Sequence, residues 1–302
     1  MEHRLFYCDH YTIPLPAGHK FPMTKYRMLR DLLAGDGCFR FEAAPFAEPA
    51  VIELAHDAAY VRDFLNGSLA SAALRRIGFP WSEALVKRTL ASVGGTLSAT
   101  CDAFDSGWGG NLAGGTHHAF RAAGAGFCVF NDIAVAIQWL RAKQRIQRAA
   151  VIDLDVHQGD GTAQIFEADP SVLTLSMHAK SNFPFRKQRS KIDIEFDDGT
   201  ADPEYLSALD GVLPRVFAFR PDIVFYQSGV DALASDMLGR LALTHAGLKE
   251  RDRRVLAAAS ANGIPIVITL GGGYSRPIEL TAQAHANTFR TASEIFALQS
   301  ST

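Results

Sequence analysis

Hydrophobic and polar positions along this chain follow two alternating periods. Short apolar runs rich in valine and isoleucine, at residues 149–154, 172–177, 223–226 and 264–270, read as buried strands. Between them lie longer stretches in which apolar residues recur every three to four positions, at 131–143, 203–219 and 243–262, and these read as helices. The alternation predicts a single-domain α/β fold, a three-layer α/β/α sandwich around a mainly parallel sheet covered by helices on both faces. Tract 179–202 shows no clear period and is expected to be a loop over the carboxyl edge of that sheet, where long irregular loops tend to be functional. No internal repeat or low-complexity segment interrupts the pattern.

Composition narrows the picture. With 302 residues, 48% hydrophobic and 21% charged, the chain is long enough for one large core, and no Pro/Ser-rich linker divides it. A formal net charge of −2 offers no broad basic field for phosphate backbones, so direct nucleic-acid binding is not expected. Cys8, Cys38, Cys101 and Cys128 are too scattered for a disulfide framework or a CxxC site and read as small packed side chains in a reducing compartment. No signal peptide and no apolar run of ~18 residues is visible, so a soluble, cytoplasmic protein is expected. Oligomeric state is not legible.

The predicted strands end in segments dense in Gly, His and Asp, at the edge where open α/β sheets bind ligands. In Val151-Ile-Asp-Leu-Asp-Val-His157, the residues Asp153, Asp155 and His157 alternate with apolar neighbours, which puts all three on one side of a strand end. Either acid alone could merely cap the next helix. Two buried acids and a histidine together need a cation, because unpaired carboxylates cost several kcal/mol when desolvated. In Gly114-Gly-Thr-His-His-Ala119, the paired His117 and His118 follow a glycine turn that lets the backbone approach a site closely. Gln227-Ser-Gly-Val-Asp231 leaves an acid just beyond a strand, where it could equally be a turn residue. Leu270-Gly-Gly-Gly-Tyr274 leaves a phenol at the sheet edge; a phosphate-binding turn is its alternative, but the lysine of a P-loop is missing.

Together GGTHHAF, GAGFCVFND, VIDLDVHQGDGT, QSGVDA and LGGGYS, in this order and spacing, resemble the histone deacetylase superfamily, including its bacterial members, from about residue 14 to about 289. The resemblance implies the arginase/deacetylase fold and an amidohydrolase acting on an acetylated lysine side chain of a protein or on a small acetylated amine. It implies that Asp155, His157 and Asp231 hold one divalent ion, usually zinc, with iron or cobalt tolerated by so carboxylate-rich a set. His118 would be the general base, with Asp160 behind it, and His117 would sit beside it with Asp153 behind. Tyr274 would donate to the oxyanion. Gly126 and Phe127 match the glycine and aromatic wall of a narrow acyl-lysine channel, and Phe183 would supply the facing ring or anchor its loop. A potassium ion is implied beneath, held by main-chain carbonyls of Asp153, Asp155, His157 and Met177 and side chains of Asp153 and Ser176, with a second such site around Phe166, Asp169 and Val172. His10 and His19 would fall near the rim.

Residues 180–195 depart from the major eukaryotic nuclear enzymes and look more like the class IV and bacterial type. Neither an acidic rim residue for gripping a peptide nor a polyamine-selecting glutamate can be assigned. Longer acyl groups and acetylpolyamines therefore stay open as substrates. Two rival readings differ in kind: an arginase-like ureohydrolase with two manganese ions, for which the ligand set is one ion short, and a non-catalytic acetyl-lysine-binding module, which retention of His117, His118 and Tyr274 disfavours.

Overall fold

The computed structural model describes residues 2–299, with the side chains of 298 and 299 excepted. Elements run β1 (His3–Tyr7), α1 (Thr24–Ala34), β2 (Phe39–Ala43), α2 (Pro49–Ile52), α3 (Ala58–Leu65), α4 (Ser71–Ile77), α5 (Glu83–Ser106) and β3 (Trp108–Asn111). They continue α6 (Asp132–Ala142), β4 (Ala149–Asp153), α7 (Asp160–Ile165), β5 (Val172–Ala179), β6 (Ile192–Phe196), α8 (Asp202–Ala218), β7 (Ile223–Gln227), α9 (His245–Ala261), β8 (Ile266–Thr269) and α10 (Glu279–Gln299). Eight strands form one sheet in the order β2-β1-β3-β8-β7-β4-β5-β6. Every pairing is parallel, so the expected mainly parallel sheet is wholly so.

Strands β4, β7 and β8 are buried at every position. Such strands read as continuous apolar runs because helices cover both their faces. On one face α5 packs along β3, β1 and β8 and touches α6, while α1, α10, α9 and α8 form a contiguous row of their own. Local capping sets the starts of these helices. Ser82 accepts from the Leu85 amide at 3.1 Å to open α5, Asn131 from the Ala134 amide at 2.9 Å to open α6, and Thr244 from the Gly247 amide at 2.9 Å to open α9.

One expectation needs correcting. Tract 179–202 is not all loop: it contains edge strand β6, paired in parallel with β5 through Leu175↔Ile192 to Ala179↔Phe196. Its sequence, Ile-Asp-Ile-Glu-Phe, does alternate, but as an edge strand it is only half buried, so it lacks the apolar run that betrays the central strands. Cys8 and Cys128 are buried, Cys38 and Cys101 partly so, and all are free thiols. Among the described residues no helix is long and apolar enough to cross a membrane.

Candidate active site

Four neighbouring strands at the centre of the sheet, β3, β8, β7 and β4, deliver their following loops to one point. The loop after β4 carries Asp155, His157 and Asp160, the last opening α7; β7 is followed by Asp231, β8 by Gly271–Tyr274, and β3 by His117 and His118. The loops line a cavity of about 820 Å3, which also takes in Gly126, Phe127 and Phe183.

Asp155, His157 and Asp231 each offer a ligand atom within 4.8 Å of the others. His157 Nδ1 lies 3.0 Å from Asp155 Oδ1 and 3.1 Å from Asp231 Oδ2. Bonds of ~2.0–2.1 Å to a tetrahedral zinc would set neighbouring donor atoms roughly 3.3 Å apart, so the set is already near that spacing. The remaining carboxylate oxygens are taken by backbone: Val156 N donates to Asp231 Oδ1 at 2.8 Å and Gly272 N to Asp155 Oδ2 at 2.7 Å. Both acids are almost wholly buried. Without a cation, burial and the charge of Asp155 push Asp231 up to about 7. Burial would lower His157, but Asp155 and Asp231 outweigh it and hold its imidazole up at about 10, so a proton stands where a metal could. This donor set fits one divalent ion.

Close backbone approach is what makes the arrangement possible. A Cβ on Gly272 would lie 1.8 Å from Asp231 Oδ2, and only glycine leaves that space. Gly126, at φ +54°, likewise passes so near His118 that a Cβ would meet its Cδ2 at 2.6 Å.

Beside the ligand set stand the two histidines, each backed by a carboxylate. His117 Nδ1 bonds Asp153 Oδ2 at 2.7 Å, and His118 Nδ1 bonds Asp160 Oδ1 at 2.6 Å. Burial disfavours the charged form of both, yet their states diverge. At His117 the charges of Asp153 and Asp155 overcome burial and raise the pKa to about 9. At His118 burial, reinforced by the charge of His117, prevails over Asp160 and lowers it to about 4. Tyr274 lines the same cavity, and burial pushes its phenol well above its usual range. Phe183 stands edge-on to His118 with ring centroids 4.9 Å apart, and Phe127 lies 6.3 Å from Tyr274.

The side chains named for potassium meet on one rung, since Asp153 pairs with Ser176 across β4 and β5. Asp153 Oδ1 accepts from the Asp155 amide at 3.2 Å, Ser176 Oγ faces His178 Nδ1 at 2.9 Å, and Met177 is buried in the core. Of the second site, Asp169 is engaged by Arg141 and Ser171. Neither rim candidate is among the residues lining the cavity: His19 packs on its Phe127 wall at 5.6 Å and bonds the Gly78 carbonyl at 2.9 Å, whereas His10 is tilted against Tyr11 and edge-on to Tyr7.

Several supporting residues escape the sequence reading. Asp132 accepts from the amides of Gly115 and Thr116, at 3.1 and 2.8 Å, and so fixes the turn before the paired histidines. Its place in GAGFCVFND was the available signal. Buried Lys25, on α1, donates to the carbonyls of Gly271 and Gly273 at 3.2 and 3.4 Å. Buried Arg251, on α9, ties together the carbonyls of Leu154, Ser228 and Gly229, next to Asp155 and Asp231 in the chain or near it. Asp236 accepts from the Tyr274 amide at 2.6 Å. Nothing local marks Lys25 or Arg251, because their partners are far away in sequence.

Known proteins share this organisation. A family model for the histone deacetylase domain matches residues 19–291. An uncharacterised protein of Picosynechococcus is 43% identical over 294 residues, covering 96% of this chain and 98% of that protein. Histone deacetylase 2 of Arabidopsis thaliana is 33% identical over 273 residues, covering 85% of this chain and 70% of that protein. Acetoin utilization protein AcuC of Bacillus subtilis is 38% identical over 200 residues, covering 60% of this chain and 51% of that protein. With nearly its whole length matched and these loops converging on one cavity, the chain belongs to the histone deacetylase family and is a hydrolase of acetylated amides.

Proposed function

We propose that this chain is a zinc-dependent deacetylase that cleaves the acetyl amide of a lysine side chain in a protein, releasing the free amine and acetate. The observation that carries this reading is the meeting, in one cavity, of a donor set for a single ion with two carboxylate-backed histidines and a phenol. Iron or cobalt would suit the same donors. When bound to Asp155, His157 and Asp231, the ion would polarise the amide carbonyl and acidify a water molecule.

The remaining work falls to this chain's own groups. With Nδ1–H given to Asp160, His118 is neutral near pH 7 and keeps its Nε2 lone pair free to accept a proton as general base, with Asp160 there to stabilise the imidazolium that forms. The proton it takes from water can then pass to the departing amine nitrogen as the C–N bond breaks. His117, held cationic by Asp153, suits electrostatic support of the developing negative charge. Tyr274 stays a protonated phenol and so can donate to the oxyanion. Gly126, Phe127 and Phe183 would line the passage for the thin lysine stem. The cross-strand pair of Asp153 and Ser176 supports a potassium ion beneath.

Turnover of an acetyl-lysine peptide by the zinc-loaded protein tests the reading: chelation should abolish it and zinc should restore it. Binding of two manganese ions per chain with ureohydrolase activity would replace it with the arginase-like alternative, and acetyl-peptide binding without turnover in any divalent metal would favour the non-catalytic one. A second reading, hydrolysis of longer acyl chains, is favoured by the reach of the cavity to Ile13, Leu85 and Val93, an apolar region an acetyl group would not fill. An acyl series from two to fourteen carbons separates the two, because kcat/KM should rise with length only if that region receives the acyl tail.

A further inference from the structure

The exposed rim of the cavity carries one sign of charge. Among the described residues its only lining carboxylates are the buried Asp155 and Asp231, whereas Lys20, Arg76 and Arg240, from three distant parts of the chain, line it as exposed side chains. Segment 180–191, whose Phe183 and Phe185 line the cavity, holds Lys180, Arg186, Lys187, Arg189 and Lys191 and no acid; of these Arg186 adjoins the lining Phe185 in sequence, whereas Lys191 reaches away to the Glu167 carbonyl before β5. Some of this charge is answered locally. Asp198 pairs with Arg240 at 3.1 Å, Asp197 stands 3.9 Å from Lys180, and Lys187 and Lys191 donate to backbone carbonyls. Among the described residues Lys20, Arg76, Arg186 and Arg189 form no ion pair, although Arg76 donates to the Gly124 carbonyl. The concentration is local, since the whole chain carries a formal net charge of −2.

Apolar surface accompanies the charge. Phe185 and Met237, both lining the cavity, are 88% and 51% exposed. A small amine entering the channel would leave them in water, whereas residues flanking a lysine in a polypeptide would lie across them.

Resting on the deacetylase reading, we propose that this mouth selects acyl-lysines in acidic polypeptide segments, and discriminates against basic tails and cationic polyamines. Carboxylates beside the acyl-lysine meet unpaired guanidinium and ammonium groups. Lysines or arginines there meet like charge, and among the described residues no exposed carboxylate lines the cavity to offset it.

Three acetyl-lysine peptides of equal length, flanked by two acidic, two neutral or two basic residues, test this on the zinc-loaded protein at low and high salt. We expect kcat/KM to fall in that order, by about tenfold overall at low salt, with the spread shrinking as salt screens the exposed charges. The double variant Lys20→Glu with Arg186→Glu should narrow or invert the spread while leaving the neutral peptide within about twofold of its original rate. Equal rates for acidic and basic peptides, or preference for basic peptides or an acetylpolyamine, overturn the inference. Binding of the same peptides by fluorescence anisotropy needs no turnover and keeps the two readings apart. If the neutral peptide is bound but never hydrolysed, the activity reading fails; equal affinities across the three peptides sink the selectivity alone.

Discussion

At the floor of the cavity Asp155 and Asp231 are 1% and 0% exposed and every carboxylate oxygen is held by backbone or by His157, whereas at the mouth Lys20 and Arg76, with Arg186 next in sequence to the lining Phe185, are exposed and without ionic partners among the described residues. The difference follows from solvation. A buried charge must be answered atom by atom, so the floor needs glycine-thin approaches and strand-end spacing. An exposed charge needs only to be near, and loops of varied sequence can supply it. Floor residues should therefore govern whether the reaction occurs, and mouth residues which substrate enters.

Removing a floor ligand should show the largest effect. Asp231→Ala takes away one of three donors and leaves the Val156 amide without its acceptor, so metal content should fall to background and turnover should drop by about a thousandfold or more. Elemental analysis alongside kinetics checks both. Retention of one tightly held zinc per chain would dissociate Asp231 from the ligand set.

Next come the floor groups that touch reacting atoms but hold no ion. His118→Ala or Tyr274→Phe should lower kcat by about a hundredfold while zinc content is unchanged, because each removes a proton acceptor or an oxyanion donor. Near-normal turnover in His118→Ala would transfer the base role to His117. In that case the opposite charge states of the two histidines would need another explanation.

Legibility in the sequence follows the same division. Strands β4, β5, β7 and β8 are visible as mainly apolar runs, because burial on both faces favours apolar residues and admits polar ones such as Thr174, Ser176 and His178 sparingly. Asp155, His157 and Asp231 were visible because strand-end spacing and the family motifs mark them. By contrast β3, Trp-Gly-Gly-Asn, shows neither run nor alternation: Gly109 and Gly110 are there because α5 and Leu5 press against the backbone. Strand β6 was missed because an edge strand need bury only part of itself. The mouth was the least visible, since Lys20, Arg76 and Arg240 become neighbours of one opening only when the chain has folded.

Lys25 probes the boundary between chemistry and support. Its ammonium holds the carbonyls on either side of Gly272, and it lies 5.3 Å from the Tyr274 ring. Lys25→Met should loosen the loop that positions the phenol and lower kcat by about tenfold, with KM and zinc content little changed. Lys25→Arg, which keeps the cation and its donors, should recover part of the loss. A change confined to KM would show that Lys25 acts on substrate entry.

A last effect concerns stability and separates floor from mouth by pH. His56 is buried beneath the paired-histidine turn: Nδ1–H donates to the Phe120 carbonyl at 3.0 Å and Nε2 accepts from the Asn131 amide at 2.8 Å. Burial lowers its pKa to about 4, against backbone acceptors that favour the charged form. In the unfolded chain the value returns to roughly 6.5, so between these two pH values the unfolded state binds more protons. Stability from neutral His56 is therefore complete above the unfolded value and drains away as pH falls toward 4, by about 3 kcal/mol. His56→Gln should flatten this part of the curve of unfolding free energy against pH, whatever its effect at pH 7. An unchanged slope would mean that His56 is protonated in the folded protein. The mouth residues are exposed and should contribute no comparable slope. Replacing Lys20 and Arg186 by Gln therefore gives the control, and an acid-dependent change there would blur the division between a floor whose buried groups must each be answered and a mouth that displays its charge.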